Sequence, residues 1–488
     1  MTESNRVRLT TVRETTAGVT PVSPRMRTAR ITGETLAYAP TFTNSEELRD
    51  DRMTADPIKT GESNSGPVNT EISYPVDGTP HSLWLESALC ALWSNTPFRD
   101  NDGTAGSAIL GVTASSGVFA VTTGPAFAGG HLIRATGFSN AGNNGTFRLS
   151  AGSATAPAVG AGLLTDEASP PATARIKVVG LEGDAGDLVA VSDGITSTLM
   201  NFTLMGLSVG QLVKVGGAAS ANRFANALSN GWARVVAIAA NKLTLDNLPT
   251  GWAADAGTGK AIRIYFGDVL KNGVSKLFHT IERGFLGQTT PTYVVQSGML
   301  ANQLQMTFNM NAIATATYTF MGLTGSAAFV PLDASPDPAT TNRVVSASSD
   351  VGRIANSSGP ILGPDFVQSA TVTINNNARN VEGIRTDGKL GPVGINLGEC
   401  GVEVQLNTYF GSGQSLQDYI AGLPTALRIA VQKDSQALGI TIPRLTRTAG
   451  SPSAQGKNQD VMIQYTATAS KDTLTGCHIQ LDRLEFVE

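Results

Sequence analysis

Alternation of apolar and polar residues at a period of two constrains the fold of this chain more than any other feature. It is clearest in the run 303–311, whose apolar positions are Leu304, Met306, Phe308 and Met310. Gln, Thr and Asn fill the positions between them, and the same period recurs at 372–374, 402–407 and 462–465. Successive side chains of a strand point to opposite faces. The sequence therefore predicts a mainly β, antiparallel protein whose strands have one core face and one uncharged polar face.

Two segments have helical rather than strand character. In the first, Thr79 is a capping residue, Pro80 suits the first helical position, and leucine and alanine follow at helical spacing, which predicts a helix over 80–94. The second is shorter, at 415–421. There Ser415, followed three residues later by an aspartate, resembles a capping box.

The middle of the chain, residues 104–267, is richer in Gly, Ala, Val and Leu than its flanks and poorer in charge. It also repeats internally, because the run that starts at Gly130 matches the run that starts at Gly210. A repeated supersecondary unit inserted into a host domain explains both features, and such an insert projects as a module. The predicted division is a host domain first part at 1–103, inserted β repeats at 104–185 and 186–267, and a host domain second part at 268–488.

Composition excludes several classes of protein. Charged residues make up 15% of the chain and the formal net charge is −4, which does not fit a basic nucleic-acid binder or a charged disordered tail. The three cysteines lack metal-type or redox-type spacing, which favours folding in a reducing compartment without disulfides. We also expect neither a signal peptide nor a membrane span, since no apolar run approaches the ~18 residues that a span needs.

No motif in the sequence carries an argument for catalysis. Residues 206–210 fit G-x-S-x-G, but they lead from a loop into a strand. When the two repeats are aligned, Ala128 occupies the position equivalent to Ser208, so one repeat lacks the serine. The segment 257–260 resembles a phosphate loop in part, but Ala261 stands where Ser or Thr would hold magnesium. The four histidines have no partners at ligand spacing. We therefore expect no catalytic, cofactor-binding or metal-binding residue.

The two flanking parts share an order of short motifs. An arm containing RETTAGVTP at 13–21 is followed by the charged segment SEELRDDR at 45–52, by EISY at 71–74, and by the first helix. After the insert come the run 275–283 and a pair of alternating strands. This order resembles the tail tube proteins (major tail proteins) of long-tailed bacteriophages. The resemblance covers 1–103 and about 268–488, and the duplicated insert is a departure from the family pattern.

The resemblance implies a β-sandwich or partial barrel with one flanking helix. Copies of such a chain would form hexameric rings, and stacked rings would form the tail tube, the conduit for genome ejection. The partners implied are other copies of the chain, other tail proteins (tape measure, terminator, and baseplate or tip), and double-stranded DNA that passes without specific binding. No cofactor, membrane or enzymatic activity is implied. The expected location is the virion tail, assembled in the host cytoplasm.

The resemblance also assigns surfaces to particular segments. Residues 1–78 are polar and extended, an arm followed by a long charged loop at 44–66 that would reach the adjacent ring. The inter-ring contact residues implied are Glu46, Arg49, Asp51 and Arg52. A bore that passes DNA should hold few cations, because each phosphate contact releases counterions and retards the DNA. We therefore expect a lumen strand at 402–408 or 303–311, with Glu403 facing the bore, and the insert on the outer surface.

Two other classes of protein compete with this interpretation. A β-repeat adhesin, receptor-binding or tail decoration protein would explain the duplicated Gly- and Ala-rich segment but not the order of arm, loop and helix before it. A polysaccharide lyase or esterase would need a constellation of acids, bases or an activated serine that the sequence does not supply.

Overall fold

The computed structural model describes residues 3–103, 107–361, 363–454 and 456–488. The fold is mainly β, as the alternation predicted, and every strand pair in it is antiparallel. Among the described residues the α-helices are α1 (Pro80–Leu89) and α2 (Gln414–Ile420). In chain order the strands are β1 (Val7–Arg13), β2 (Arg27–Thr28), β3 (Gly33–Glu34), β4 (Ala37–Thr43), β5 (Ile58–Glu71), β6 (Phe98–Asp100), β7 (Ile109–Thr113), β8 (Val118–Val121), β9 (His131–Thr136), β10 (Gly145–Arg148), β11 (Arg175–Glu182), β12 (Val189–Val191), β13 (Gly194–Thr196), β14 (Leu212–Val215), β15 (Gly231–Ala239), β16 (Lys242–Asp246), β17 (Arg263–Tyr265), β18 (Asp268–Lys271), β19 (His279–Phe285), β20 (Thr292–Asn309), β21 (Thr315–Met321), β22 (Thr324–Ala328), β23 (Val351–Asn356), β24 (Gly359–Pro360), β25 (Val367–Asn375), β26 (Arg379–Val381), β27 (Gly394–Asn396), β28 (Gly401–Tyr409), β29 (Thr425–Lys433), β30 (Gln436–Ser453), β31 (Met462–Ala469) and β32 (Gln480–Leu484).

A sandwich of two layers forms the main body. The first layer runs β5-β21-β20-β25-β28-β31, and the second runs β18-β32-β30-β29-β23. The 18-residue strand β30 joins the layers, because its first half pairs with β29 and β32 and its second half with β31. The long strand β20 likewise pairs with β19 and β22 before it pairs with β21 and β25.

The apolar face of each alternating strand packs into one core between the layers. From the first layer, Leu304, Met306 and Phe308 are buried there, and the second layer contributes Leu427 and Ile429. Helix α1 covers one side of this core and contacts β20, β25, β18 and β1. At roughly 25 cal/mol per Å² of apolar surface removed from water, this burial is the main force that holds the layers together.

A second sheet, made mostly of residues between 131 and 265 and called the inserted sheet below, has its own core. Its order is β10-β9-β11-β17-β14-β15-β16-β13-β12, and β6 joins it at β11 although β6 precedes residue 104. The two halves repeat the same local bonds: Phe138 N–H donates to Asn144 Oδ1, and Phe224 N–H donates to Asn230 Oδ1, both at 2.9 Å. The predicted first residue of the insert, 104, lies outside the described residues.

Helix α1 is shorter than predicted. It ends at Leu89, not at residue 94, because Cys90 adopts a left-handed conformation with φ of 52°. Ala91 N–H then donates to the carbonyl of Glu86, which closes the last turn as in a Schellman end. The start at Pro80 agrees with the prediction, although Thr79 donates its hydroxyl to Val76 O and makes no capping bond to the helix.

The predicted capping box of the second helix is wrong. The residue at the N-cap is Gly413, which has no side chain to cap with. Asp418 instead accepts a hydrogen bond from the Gln414 side chain one turn earlier, at 2.8 Å. The helix ends where Gly422 takes a φ of 63°, a conformation that costs glycine little.

The N-terminal arm and the charged loop are more ordered than predicted. Strand β1 pairs with β19 over seven residues, and Leu9 is buried in the main core, so this part of the arm belongs to its own subunit. Residues 58–66 are strand rather than loop, since β5 begins at Ile58 and pairs with β4. Only 44–57 lie between the two strands, which makes the segment a long β-hairpin.

Candidate assembly surfaces

The face of the first layer that points away from the core is polar and almost uncharged. Cross-strand register places two complete rows of side chains side by side on the six strands. The first row is Asn69, Thr317, Gln305, Thr373, Glu403 and Thr468, and the second is Glu71, Thr315, Thr307, Thr371, Gln405 and Thr466. Of these twelve side chains two are acidic and none is basic. We call this surface the polar face.

Two hydrogen bonds join neighbouring side chains of the polar face. Thr317 donates to Asn69 Oδ1 at 2.9 Å, and Gln405 donates to Glu403 Oε1 at 3.0 Å. Glu403 is exposed, and the buried neighbours Val402 and Val404 anchor its strand on the other side. The two candidate lumen strands, 303–311 and 402–408, lie in one sheet with only β25 between them. The polar face is therefore one continuous surface across the six strands.

The hairpin of β4 and β5 projects beyond the sheet. Strand β5 pairs with β21 only from Ser65 onward, and the buried Asn64 still accepts from Gly322 N–H at 2.7 Å, whereas residues 58–63 pair only with β4. Along the projecting part, Phe42, Leu48, Met53 and Ile58 expose apolar side chains, and Leu48 is as exposed as in an extended chain. An isolated two-stranded hairpin is only marginally stable in water. Burial of this apolar tip against another surface would therefore stabilise the hairpin.

Charged residues at the tip of the hairpin are partly paired with each other. Arg49 contacts Asp51 with Nη2 and Oδ2 at 2.6 Å, and Met53 N–H donates to Asp51 Oδ1 at 3.0 Å. The guanidinium lowers the pKa of the Asp51 carboxyl below its ordinary value. Glu46 and Arg52 are exposed, and Arg52 has a φ of 59°. The structure thus brings two of the four predicted contact residues together and leaves the other two at the surface.

The inserted sheet is joined to the sandwich by buried opposite charges. Asp268 at the start of β18 accepts from Lys177 Nζ at 2.6 Å and from Arg483 Nε at 2.7 Å, and all three side chains are almost completely buried. Burial alone would raise the pKa of Asp268, but the two adjacent cations lower it to about 2. We call this cluster the junction. Its side chains come from the inserted sheet and from the sandwich, so it fixes one relative to the other.

A comparison with known families identifies the family of the chain. The chain matches the family described as phage tail tube protein over residues 4–469. The chain belongs to the phage tail tube family. The matched range includes most of both flanking parts and all of the residues between them, and a comparison with curated proteins finds no match. The chain is therefore a structural component of a phage tail, and the assembly surfaces above belong to a tail tube protein.

The last residues of the tail tube protein extend the junction. Glu485 contacts Arg175 at 3.0 Å, and Glu488 contacts Arg263 Nη1 at 2.5 Å. Between them, the ring of Phe486 lies 4.7 Å from the Arg134 guanidinium. Sequence reasoning missed all of these contacts. The pairs lie far apart in the chain, as Arg483 and Asp268 do at a separation of 215 residues, so no local spacing could have revealed them.

A further buried acid lies where β32 meets the inserted strand β14. Asp482 is completely buried, and this burial raises its pKa to about 7. Gln480 donates from Nε2 to Asp482 Oδ1 at 2.9 Å, while the cations of Lys271 and Arg234 act on it only from a distance. The pKa of the Asp482 carboxyl therefore lies close to neutral pH, where its protonated and ionised forms are both populated.

The segments that resembled catalytic motifs are turns in the tail tube protein. Gly206 and Gly210 have φ values of 70° and 93°, and Ser208 N–H donates to Gln211 Oε1 at 2.9 Å. Gly257 and Gly259 also have positive φ. Within the described ranges there is no group of three or more His, Cys, Asp or Glu side chains suited to a metal ion. In the same part of the chain, no helix combines the length and apolar character needed to cross a bilayer.

Proposed function

We propose that this tail tube protein closes into hexameric rings whose stacking builds a hollow tube, and that the polar face lines its bore. The observation that carries the proposal is the chemistry of that face: twelve neighbouring side chains in two cross-strand rows, none of them a cation. The tube is the conduit through which the genome enters the host. The subunits assemble in the host cytoplasm and meet the tape measure, terminator and baseplate or tip proteins at the tube ends.

A neutral to acidic bore suits the passage of double-stranded DNA. Each lysine or arginine that neutralised a phosphate would release counterions and hold the DNA in place. Asn, Gln and Thr side chains keep water at the wall without fixed positive charge, and Glu403 adds weak repulsion. The DNA therefore moves through the tube without a binding site.

The arrangement of layers supports an outer position for the inserted module, residues 104–267 with repeats at 104–185 and 186–267. The second layer of the sandwich packs its far side, with Ala430, Ala437 and Leu484, against the inserted sheet. The polar face belongs to the first layer, on the other side of the core. A subunit with its polar face toward the bore thus carries the insert on the outside of the tube.

Stacking of the rings is assigned to the hairpin of β4 and β5. The apolar side chains of the hairpin are exposed on the subunit. The charged residues of its tip are exposed as well: Glu46, Arg49, Asp51 and Arg52. Contact with the next ring would cover these side chains and would stabilise the hairpin, which is marginal alone.

Electron microscopy of the purified chain at rising concentration tests the assembly. We expect six-fold rings, then hollow tubes with knobs on the outer wall. Removal of residues 44–57, with β4 and β5 rejoined by a two-residue turn, should leave rings and abolish tubes. Discrete trimers or monomers at every concentration would instead favour the adhesin or decoration class.

Charge reversal on the polar face tests the bore. Glu403→Lys would place six added cations in each ring, so we expect slower DNA ejection at low salt, with recovery as salt screens the contact. Glu403→Gln is the matched control, since it removes the charge without adding a cation. Unchanged ejection and infectivity for the lysine variant, in particles with normal tails, would show that Glu403 does not face the DNA.

A further inference from the structure

An apolar groove of about 530 Å³ lies between the inserted sheet and the sandwich. Its walls come from β23 and the start of β25 on one side and from the inserted sheet on the other. Its apolar lining includes Trp232, Pro249, Val351, Ile354, Phe366 and Val367. This volume lies within the range of sites that hold a bound side chain or small ligand. The groove remains open within the described part of the subunit, and its chemistry suits an aliphatic occupant.

The groove is built into the fold rather than left by loose packing. Arg353 reaches across its floor and donates to Asn247 Oδ1 at 3.0 Å and to Leu248 O at 3.2 Å. It also donates to the carbonyl of Trp232. These bonds use the guanidinium to hold the inserted sheet against β23. The only cation of the lining is thereby committed to the subunit itself, and the groove presents an apolar surface.

The groove and the projecting hairpin lie at opposite ends of the same strands. In the first layer, the start of β25 at Val367 lies beside the groove, and the other end, at Asn375, pairs with Gln303. That other end is where β5 leaves the sheet, since its pairing with β21 stops at Ser65. Head-to-tail stacking therefore brings the hairpin end of one copy to the groove end of the next.

The hairpin is long enough to make this contact. Residues 58–63 pair only with β4, and at about 3.3 Å per residue they span roughly 20 Å before the tip is counted. The nine residues of β25 span about 30 Å by the same measure. The projection is therefore comparable with the height of one sheet. At its tip, Leu48 and Met53 are 103% and 71% exposed, and burial would remove this apolar surface from water.

We propose that Leu48 and Met53 of one copy occupy the apolar groove of a copy in the adjacent ring. The occupant is a second copy of this chain, and the inference rests on the proposed stacking of rings. The tip supplies aliphatic side chains, the groove supplies an apolar cleft, and their positions at opposite ends make the contact heterologous and repeatable from ring to ring. The charged residues beside the tip stay at the rim, where water reaches them.

Disulfide cross-linking tests the contact directly. Leu48→Cys is combined with Thr250→Cys, since Thr250 lines the groove and is exposed. Air oxidation with a copper–phenanthroline catalyst should join chains into ladders on non-reducing gels in tube samples, and not in dilute unassembled samples. Leu48→Cys with Leu199→Cys is the control, because Leu199 is also exposed, on the inserted module, but does not line the groove. The wild type, with its three native cysteines, sets the background.

A second variant fills the groove instead of linking across it. Val351→Trp should raise the concentration needed for half of the chains to enter tubes at least tenfold, while six-fold rings still form. Leu199→Trp on the inserted module should leave that concentration unchanged. Tubes of Val351→Trp that form normally, or wild-type-like tubes of the double cysteine variant without ladders, would overturn the groove contact alone. Failure of the wild type to form tubes would instead overturn the stacking proposal itself.

Discussion

The polar face and the junction are both built from polar side chains on strands, but they treat charge in opposite ways. The polar face exposes neutral amides and hydroxyls, with Glu403 and Glu71 as the acids of its two rows. The junction buries Lys177, Asp268 and Arg483 in direct contact. A surface exposed to water can stay neutral because water satisfies its polar groups. A buried charge needs a specific partner, so it fixes the orientation of the elements that carry it.

Removal of one junction partner should have the largest effect. Asp268→Ala leaves Lys177 and Arg483 buried without a counter-charge, and breaking such a pair costs about 3–5 kcal/mol of unfolding free energy. Chemical denaturation of the unassembled chain measures it. Asp184→Ala, which removes an exposed ion pair with Arg148 at 2.9 Å, is the control and should cost no more than about 1 kcal/mol. Equal losses in the two variants would mean that burial does not distinguish the junction.

Removal of the buried charge of Asp482 should increase the free energy of unfolding, whereas removal of Asp268 should decrease it. Its pKa is raised to about 7, above the ordinary value, so the folded state binds the extra proton between about pH 4 and 7. Stability therefore falls as pH rises through this window. Asp482→Asn removes the buried charge and should stabilise the chain by roughly 2–4 kcal/mol at pH 8, with little difference at pH 4. Denaturation midpoints of the wild type and Asp482→Asn at pH 8 and pH 4 test this prediction. A difference in stability between the two proteins that does not change with pH would contradict it.

Acid should weaken the junction through Asp268 itself. Because the folded pKa of about 2 lies below the ordinary value, the paired carboxylate stabilises the fold above about pH 4. This contribution of about 2 kcal/mol is lost as pH falls from 4 through 2. Denaturation of wild type and Asp268→Asn at pH 5 and pH 3 measures it. We expect the difference in unfolding free energy between the two proteins to be smaller at pH 3 than at pH 5. A larger difference at pH 3 would mean that the pKa of Asp268 is not lowered in the folded state.

Substitution on the polar face should have the smallest effect. Gln305→Ala removes an exposed side chain, so we expect a change within about 0.5 kcal/mol. Its neighbour Leu304, on the core face of the same strand, gives the contrast: Leu304→Ala should cost about 2–5 kcal/mol through loss of apolar contact and a cavity. Thermal or chemical denaturation of both variants compares the two faces. A large loss for Gln305→Ala would mean that the polar face contributes to folding in addition to its proposed role in the bore.

Sequence periodicity predicted the mainly β fold because a strand has only two faces. Leu304, Met306 and Phe308 are buried as expected, while Met310 lies just past the end of β20 and is exposed. The ends of elements were less predictable. The end of α1 depends on the left-handed conformation of Cys90, and the start of β5 depends on pairing with β4 across the hairpin. Neither is visible from local composition.

Local order and motif order in the sequence determined the strand pattern, the position of both helices to within a few residues, and the tail tube resemblance that the family match confirms. Only the tertiary structure decided which residues meet. It aligned Gln305, Thr373 and Glu403 into one face, joined Lys177 to Asp268, and placed the groove and the hairpin at opposite ends. The physical reason is distance along the chain. Periodicity acts between neighbours, whereas a charge pair or a sheet register depends on how distant segments pack.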